Sequence, residues 1–405
     1  MTSLDKYSLA LNKITPINQP IRILHIITRM IVGGAQENTM YTAALLDKSR
    51  FQVEVICGPQ TGSEGSLIEE ARNLGVKITI VPELLREINP LKDLIALIKL
   101  YSIIKHNQYA LVHTHSSKAG ILGRIAAKLA GTPVILHTVH GWSFHDYMPL
   151  FKKEMYIFLE RLTARFCQRI IVVSMVDQQK GLINKIGKPE QYQLIRSAIP
   201  LDQFQPKAKL KPQIHLQLGV PIDAPIVGTV SRLSPQKNPL EWVKIASHIS
   251  DKFPRAYFVI IGDGPLHNEV VDLLRAEGIA SKTILTGLRR DVGEFLNAFD
   301  IILLTSLWEG LPRVIPEAMS VGIPVVAYAV DGIAEVIQPN HNGILCEPHN
   351  LEQAANACIE LLQDEKMRQS LRKAGRQTAL NHFDLQKMIA ELEQLYKASL
   401  NIHRG

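Results

Sequence analysis

The sequence predicts an α/β protein built from two doubly wound, parallel-sheet domains that face each other across a cleft. Three observations predict it. The chain has 405 residues, more than one hydrophobic core ordinarily serves. Short apolar runs alternate with amphipathic stretches of helical length, which is the pattern of βαβ units and a sheet covered on both faces. The alternation stops in a proline-rich stretch and then begins again.

In the first half, strands are expected near residues 21–28, 51–58, 77–82, 110–115, 133–138 and 169–174. Helices are expected between them, near 36–47, 65–74, 90–106, 118–130 and 150–168. Residues 187–224 contain Pro189, Pro200, Pro206, Pro212 and Pro221 and read as a linker between domains. Strands then recur near 225–230, 258–262, 283–286, 300–305, 324–329 and 343–346. The domains are therefore placed at 20–198 and 199–383. Near the end, Leu385, Met388, Ile389, Leu392, Leu395 and Tyr396 form a helical stripe over 384–400.

Composition narrows the function. Hydrophobic residues make up 46%, which suits a globular protein. Cys57, Cys167, Cys346 and Cys358 are far apart, with neither disulfide-framework nor zinc-site spacing. The first twenty residues include Asp5 and Lys6 and no apolar core segment, so no signal peptide is expected. No apolar run reaches membrane-spanning length. The protein is expected to be cytoplasmic, or peripheral on the cytosolic face of a membrane. Residues 1–199 carry 24 Lys and Arg against 15 Asp and Glu, whereas residues 200–405 carry 21 against 23. A basic first half implies an anionic partner. Nucleic acid is disfavoured, because basic runs, RNP-like stretches and zinc-finger spacings are missing; a phosphate-bearing substrate or an anionic lipid surface fits.

The strongest local signal is Glu309-Gly310-Leu311-Pro312-Arg313-Val314-Ile315-Pro316-Glu317, directly after the predicted strand 300–305. Its two carboxylates would stand about 10 Å apart, one on a loop and one in a helix. They can hold the two hydroxyl-rich ends of a sugar nucleotide while the intervening amides face its phosphates. The plainer reading is a loop acid plus an ordinary helix-start acid. Upstream, Ser231-Arg232-Leu233-Ser234-Pro235-Gln236-Lys237 follows the first strand of the second half. Arg232 offers a planar fork and Lys237 a point charge, a pairing suited to a leaving diphosphate.

Ile261-Gly262-Asp263-Gly264-Pro265 ends a strand in a turn where Gly262 and Gly264 let backbone approach a ligand and Pro265 suits a helix start. In the first half, Gly33 and Gly34 join the first strand to the first helix and can present amides to a phosphate. Neither glycine turn completes the dinucleotide fingerprint, which disfavours an oxidoreductase. His140, just beyond the strand 133–138, is placed to face the cleft; His137 is expected inside the sheet. In residues 150–170, Phe151, Met155, Phe158, Leu159, Leu162 and Phe166 form an apolar stripe, with Lys152, Lys153, Arg161, Arg165 and Arg169 around it. Such a helix can lie on an anionic membrane, or it can cover the sheet with its basic side in solvent.

These motifs, in this order, resemble the retaining glycosyltransferases of family 4 (glycosyl transferases group 1), whose GT-B fold is two Rossmann-like domains facing a central cleft. The resemblance covers nearly the whole chain. It implies that the helix 384–400 crosses back to the first domain, which binds the acceptor while the second binds the donor. It implies that Glu309 bonds donor sugar hydroxyls, that the backbone of Gly310, Leu311 and Pro312 flanks sugar and diphosphate, and that Glu317 binds the ribose. Arg232 and Lys237 would hold the diphosphate, Gly34 would supply an amide, and His140 would touch the sugar and the acceptor. A UDP- or GDP-sugar is the implied donor and a glycan or lipid-linked molecule the implied acceptor, in cell-surface polysaccharide, lipopolysaccharide or glycolipid synthesis. No metal or other cofactor is implied. Gln36 stands where many relatives carry Glu, and Leu311-Pro312 where others have aromatic-Gly. A sugar-nucleotide epimerase or a phosphorylase of the same fold is the alternative.

Overall fold

The computed structural model describes residues 20–60 and 65–402. The expectation about a signal peptide concerns residues that lie outside these.

The first sheet has seven parallel strands in the order β3-β2-β1-β4-β5-β6-β7. They are β1 (Ile21–Ile27), β2 (Phe51–Cys57), β3 (Lys77–Ile80), β4 (Leu111–His115), β5 (Val134–Val139), β6 (Arg169–Val172) and β7 (Tyr192–Leu194). The second has six, in the order β10-β9-β8-β11-β12-β13: β8 (Ile226–Val230), β9 (Tyr257–Ile261), β10 (Thr283–Gly287), β11 (Ile301–Leu304), β12 (Val325–Tyr328) and β13 (Ile344–Cys346). Every predicted strand forms, within one or two residues at each end.

Both sheets reverse direction at one place. From β1 the chain winds outward to β2 and β3, then returns to place β4 on the other side; β8 is flanked in the same way by β9 and β11. Loops leaving the carboxyl ends of the two central strands diverge there and open a crevice, the usual ligand site of such sheets. Both crevices face one interdomain cleft, because residues from the loops after β1, β5, β8 and β11 line a common cavity.

Helix α1 (Gly34–Leu45) follows β1. Helices α2 (Pro90–Asn107), α3 (Ser117–Ala130) and α4 (Leu150–Ala164) all pack on one face of the first sheet, through Ala96, Leu100, Ala119, Ala126, Ile157 and Ala164. In the first half and the linker, two helices come in addition to those the sequence predicts. One, α5 (Met175–Ile183), is capped by the Ser174 hydroxyl, which accepts from the Asp177 amide. The other, α6 (Leu210–Leu218), lies inside the expected linker 187–224, as does β7. Prolines did not prevent either. Pro212 occupies the first turn of α6, where a missing N–H breaks no helical bond, and β7 is a three-residue strand at the sheet edge. Pro265 lies before the next helix, in a turn, because that helix begins only at His267.

Of the two readings of the stripe in 150–170, a sheet-covering helix forms, but it does not turn Phe151 or Phe158 of that stripe to the sheet. Its inward residues are Ile157, Glu160, Thr163 and Ala164. Glu160 forms a fully buried ion pair with Arg124 of α3 at 2.7 Å, and that pair sets the rotation of the helix. Phe151 and Phe158 are turned outward, 81% and 63% exposed.

Helix α7 (Val314–Val321) follows β11 and α8 (Leu385–Ile402) ends the described chain. Leu385, Met388, Ile389, Leu392, Tyr396 and Leu400 of α8 pack on Ile23, Phe51, Leu111 and Val134 of the first sheet. Each such side chain contributes about 1.5–3 kcal/mol on burial, which holds the chain end to the first domain. The two crossings between domains run side by side, with the Ile199 amide donating to the Phe383 carbonyl at 3.0 Å.

Candidate active site

The loops after β8 and β11 are stitched together by polar side chains. The Thr305 hydroxyl donates to the carbonyls of Lys237 and Asn238, both at 3.0 Å. The Gln236 amide donates to the Trp308 carbonyl at 2.9 Å. These bonds bring the Lys237 ammonium into an ion pair with the Glu309 carboxylate. The phosphate-suited cation and the hydroxyl-suited acid are thus neighbours. The Glu309 amide donates to Asp331 at 2.8 Å, and Asp331 also receives Lys180 of α5. One carboxylate therefore fixes the Glu309 backbone and ties the second domain to the first.

One close approach of the two domains is glycine on glycine. Gly141 has φ +112, and a Cβ at Gly310 would stand 2.3 Å from the His140 carbonyl oxygen and 2.8 Å from the Gly141 nitrogen. Only a residue without Cβ lets the Glu309–Gly310 loop lie on the His140–Gly141 loop.

Deeper in the cleft, the Arg313 guanidinium, at the start of α7, pairs with Glu37 of α1 and lies 3.6 Å from Glu317. Burial pushes the Glu317 carboxyl up to about 7; Arg313 opposes the shift and Glu37 adds to it. Gly34 makes room for this cluster, since a Cβ there would lie 3.3 Å from the Arg313 side chain.

A cavity of about 610 Å³ is lined by Gly33, Gly34, His140, Arg232, Lys237, Gly262, Glu309, Gly310, Leu311, Pro312 and Glu317. Of the residues the sequence places at the donor and catalytic site, all line this cavity except Gly264. The position of a Cβ on Gly264 is taken by the Leu233 carbonyl oxygen, 2.4 Å away, and that on Gly262 by the Ser231 carbonyl oxygen at 2.0 Å. These two glycines let the turn after β9 lie on the Arg232 loop, so backbone approaches backbone there. Gly264 instead lines a wider groove of about 1120 Å³ that shares Arg232 and runs out between α3 and α4 past Ile121, Ile125, Met155 and Leu159. A smaller space of about 370 Å³ opens beyond His140, lined by Ser143, Asp177, Lys180 and Trp308. There the His145 and Trp308 rings stack at 3.9 Å. Burial drives the His140 imidazole down to about 4, leaving it neutral, and pushes the Asp177 carboxyl up to about 7 against the Ser174 hydrogen bond. His137 lies within β5, its Nδ1 3.1 Å from the Thr114 carbonyl.

Sequence reasoning missed Arg313, Glu37 and Asp331. Arg313 lies within the very element that drew attention, and Glu37 directly follows Gln36. Asp331 follows the carboxyl end of β12, so the strand-end rule applied to every strand finds it.

Comparison with known proteins agrees with this geometry. A family described as Glycosyltransferase Family 4 matches residues 32–203, and one described as Glycosyl transferases group 1 matches residues 211–378. The chain is 32% identical over 382 residues to UDP-Gal:alpha-D-GlcNAc-diphosphoundecaprenol alpha-1,3-galactosyltransferase of Escherichia coli, covering 93% of this chain and 96% of that one. This chain belongs to the family 4, group 1 glycosyltransferases. The glycosyltransferase is also 24% identical over 369 residues to the capsular polysaccharide biosynthesis glycosyltransferase CapM of Staphylococcus aureus, covering 89% and 93% of the two chains. In fold it matches the Anabaena protein HepE, solved in complex with UDP and glucose, at a TM-score of 0.81 and 20% identity, over 93% of this chain and 100% of that one. The architecture is GT-B, as the motifs implied. Among the described residues, no helix is long and apolar enough to cross a membrane.

Proposed function

We propose that the enzyme moves a hexose from a UDP-sugar to a lipid-diphosphate-linked sugar, retaining the anomeric configuration and using no metal. The observation that carries the donor half is the convergence of Arg232, Lys237 and Glu309 at the ends of β8 and β11, with Glu317 farther along the same cavity. Glu309 holds sugar hydroxyls, Glu317 accepts from the ribose, and Gly34 offers an amide from the opposite domain. Arg232 and Lys237 stabilise the diphosphate as the glycosidic bond breaks and negative charge grows on it. A phosphate oxygen of the leaving group takes the acceptor proton on the face it vacates, so no carboxylate nucleophile is assigned. Glu309, Arg232, Lys237 and His140 are the proposed catalytic residues. Replacing Arg232 or Lys237 with Ala is expected to weaken UDP binding by about 1.5–3 kcal/mol each without lowering the melting temperature; unchanged calorimetric affinity in both variants refutes the assignment.

Charge supplied by two side chains and loop amides leaves no need for a divalent cation, and the sequence contains no Asp-x-Asp. Activity is therefore expected to survive chelation, and the product to keep the donor configuration by NMR. Loss on chelation with rescue by manganese contradicts the charge argument. An inverted product shifts attention to a catalytic base, His140 first. UDP release that requires an acceptor separates transfer from the alternatives, since an epimerase would form an epimer without acceptor and a phosphorylase would release sugar phosphate with orthophosphate.

The acceptor half is supported by the name of the Escherichia coli relative and by the first domain's surface. The wider groove has apolar walls on α3 and α4 and an inner end at Arg29 and Arg86, which suits an isoprenoid stem with a diphosphate. Beside it α4 exposes Leu150, Phe151, Phe158 and Leu162, and α2 exposes Leu91, Leu94 and Ile98. Lys152, Arg161 and Arg165 lie among the α4 residues, the composition of an interfacial helix on anionic lipid. Phe151→Asp with Phe158→Asp is expected to reduce flotation with phosphatidylglycerol vesicles at least about tenfold, since each Phe buried in lipid is worth about 1.5–3 kcal/mol. Unchanged flotation in this double variant removes membrane contact through α4.

A further inference from the structure

Six side chains, all buried but His140, make one hydrogen-bonded chain that joins the crossover helix to the cleft. His25 on β1 and His113 on β4 are paired in register, and strand alternation puts His115 on the same face as His113. That face is covered by α8, which inserts Tyr396. His140 Nε2 meets His115 Nδ1 at 3.2 Å, and His115 Nε2 meets His25 Nδ1 at 2.9 Å. His25 Nε2 meets the Tyr396 hydroxyl at 3.3 Å, and the same hydroxyl meets His113 Nδ1 at 2.6 Å. His113 Nε2 ends the chain on the Thr138 hydroxyl at 2.7 Å.

The histidines of this chain are neutral. Burial lowers His25 to about 3 and His140 to about 4, and takes His113 and His115 well below the ordinary histidine value. A neutral imidazole has one N–H and one bare nitrogen, so each link constrains the next and the chain has only two polarities. The Tyr396 hydroxyl has a single proton to give. Its 2.6 Å contact with His113 has the length of an O–H donor bond and lies below the usual N–H range, whereas the 3.3 Å contact with His25 is long. Tyr396 therefore donates to His113 and accepts from His25 Nε2–H. His25 Nδ1 is then bare and accepts from His115 Nε2–H, and His115 Nδ1 is bare and accepts from His140 Nε2–H.

We infer that this chain holds His140 in its Nε2–H tautomer, leaving bare Nδ1 to accept a hydrogen bond from a sugar hydroxyl in the cleft. His115, His25 and Tyr396 are then positioning residues, and the helix that closes the two-domain chain sets the chemistry of a cleft residue. The role given to the sugar hydroxyl rests on the proposed function; the tautomer does not. His25, His113 and His115 cluster closely enough to suggest a metal centre, with ring nitrogens within 4.8 Å of one another. Their spacing favours hydrogen bonds, since tetrahedral zinc would hold two nitrogens about 3.4 Å apart, not the 2.9 Å found between His25 and His115.

Nitrogen-15 spectra of the full chain labelled on histidine separate a protonated ring nitrogen from a bare one, and His140→Gln assigns the His140 signals. The expected wild-type result is a single His140 tautomer protonated at Nε2. Tyr396→Phe, checked for folding by thermal melting, is expected to lose that single tautomer and show protonation at Nδ1 in part of the molecules. In the same variant kcat falls while the donor KM holds. Full turnover by His140→Gln would defeat the proposed role of His140 in transfer and leave the tautomer result standing. A wild-type His140 protonated at Nδ1 overturns the inference, whether or not Tyr396→Phe folds, and so does a His140 tautomer unmoved in a folded Tyr396→Phe.

Discussion

Glu309→Gln is expected to lower turnover by about 10²–10³-fold, the usual cost of removing one preorganised charge-stabilising group, while the donor KM changes only a few-fold. Gln keeps the shape and one carbonyl acceptor, so ground-state bonds to the sugar hydroxyls persist. The carboxylate charge is lost, and that charge matters most when the anomeric carbon turns positive. The ion pair sharpens the expectation. Lys237 loses its partner in the variant, and an unpaired ammonium beside the diphosphate favours donor binding, so KM has no reason to rise. Steady-state kinetics decide it. A variant with wild-type kcat and only a raised KM makes Glu309 a binding residue and removes it from the catalytic set.

Gly310→Ala is expected to cost about 10²-fold in kcat/KM, the scale of a displacement near 1 Å between reacting groups. The new Cβ would stand 2.3 Å from the His140 carbonyl oxygen and 2.8 Å from the Gly141 nitrogen. Both neighbours are backbone of the other domain, which cannot rotate away as a side chain can. The His140 loop must then retreat from Glu309, separating the group proposed to face the acceptor from the group proposed to hold the donor. Gly310, His140 and Gly141 belong to none of the hydrophobic clusters of the described residues, so the melting temperature should change little. UDP alone, for which Arg232, Lys237 and Glu317 are the proposed ligands, should bind almost as before. Wild-type kcat/KM in a folded Gly310→Ala protein would show that the two loops need not meet for transfer.

Much of this site is legible in the order of the amino acids. Glu309, Arg232 and Lys237 stand out because charged side chains soon after apolar strand runs have one usual place in a doubly wound sheet, the ligand crevice. His140 stands out for the same reason, and Glu317 by its spacing from Glu309 in the helix that follows it. The partners Glu37, Asp331 and Lys180 are distant in sequence from the groups they hold, and no periodicity records a contact across a cleft. Gly264 shows the converse error. A glycine can admit a ligand or a neighbouring backbone, and the sequence is the same for both; here the neighbour is Leu233.

The sequence by itself determined the two βαβ domains, the order of their strands along the chain and the residues that end on the cleft, because periodicity and strand-end position are local properties. Tertiary structure alone decided how α4 is rotated. The sequence leaves two readings for the apolar stripe with Phe151 and Phe158, on a membrane or against the sheet. The Arg124–Glu160 pair, 36 residues apart, decides between them. A buried guanidinium without its carboxylate is far costlier than an exposed phenylalanine, so the helix turns its acid inward and its aromatics out. The histidine chain was settled in the same way. His25, His113, His115 and His140 come from three separate stretches and Tyr396 from the chain's far end, and only the register of β1 with β4 and the return of α8 bring their ring nitrogens into line.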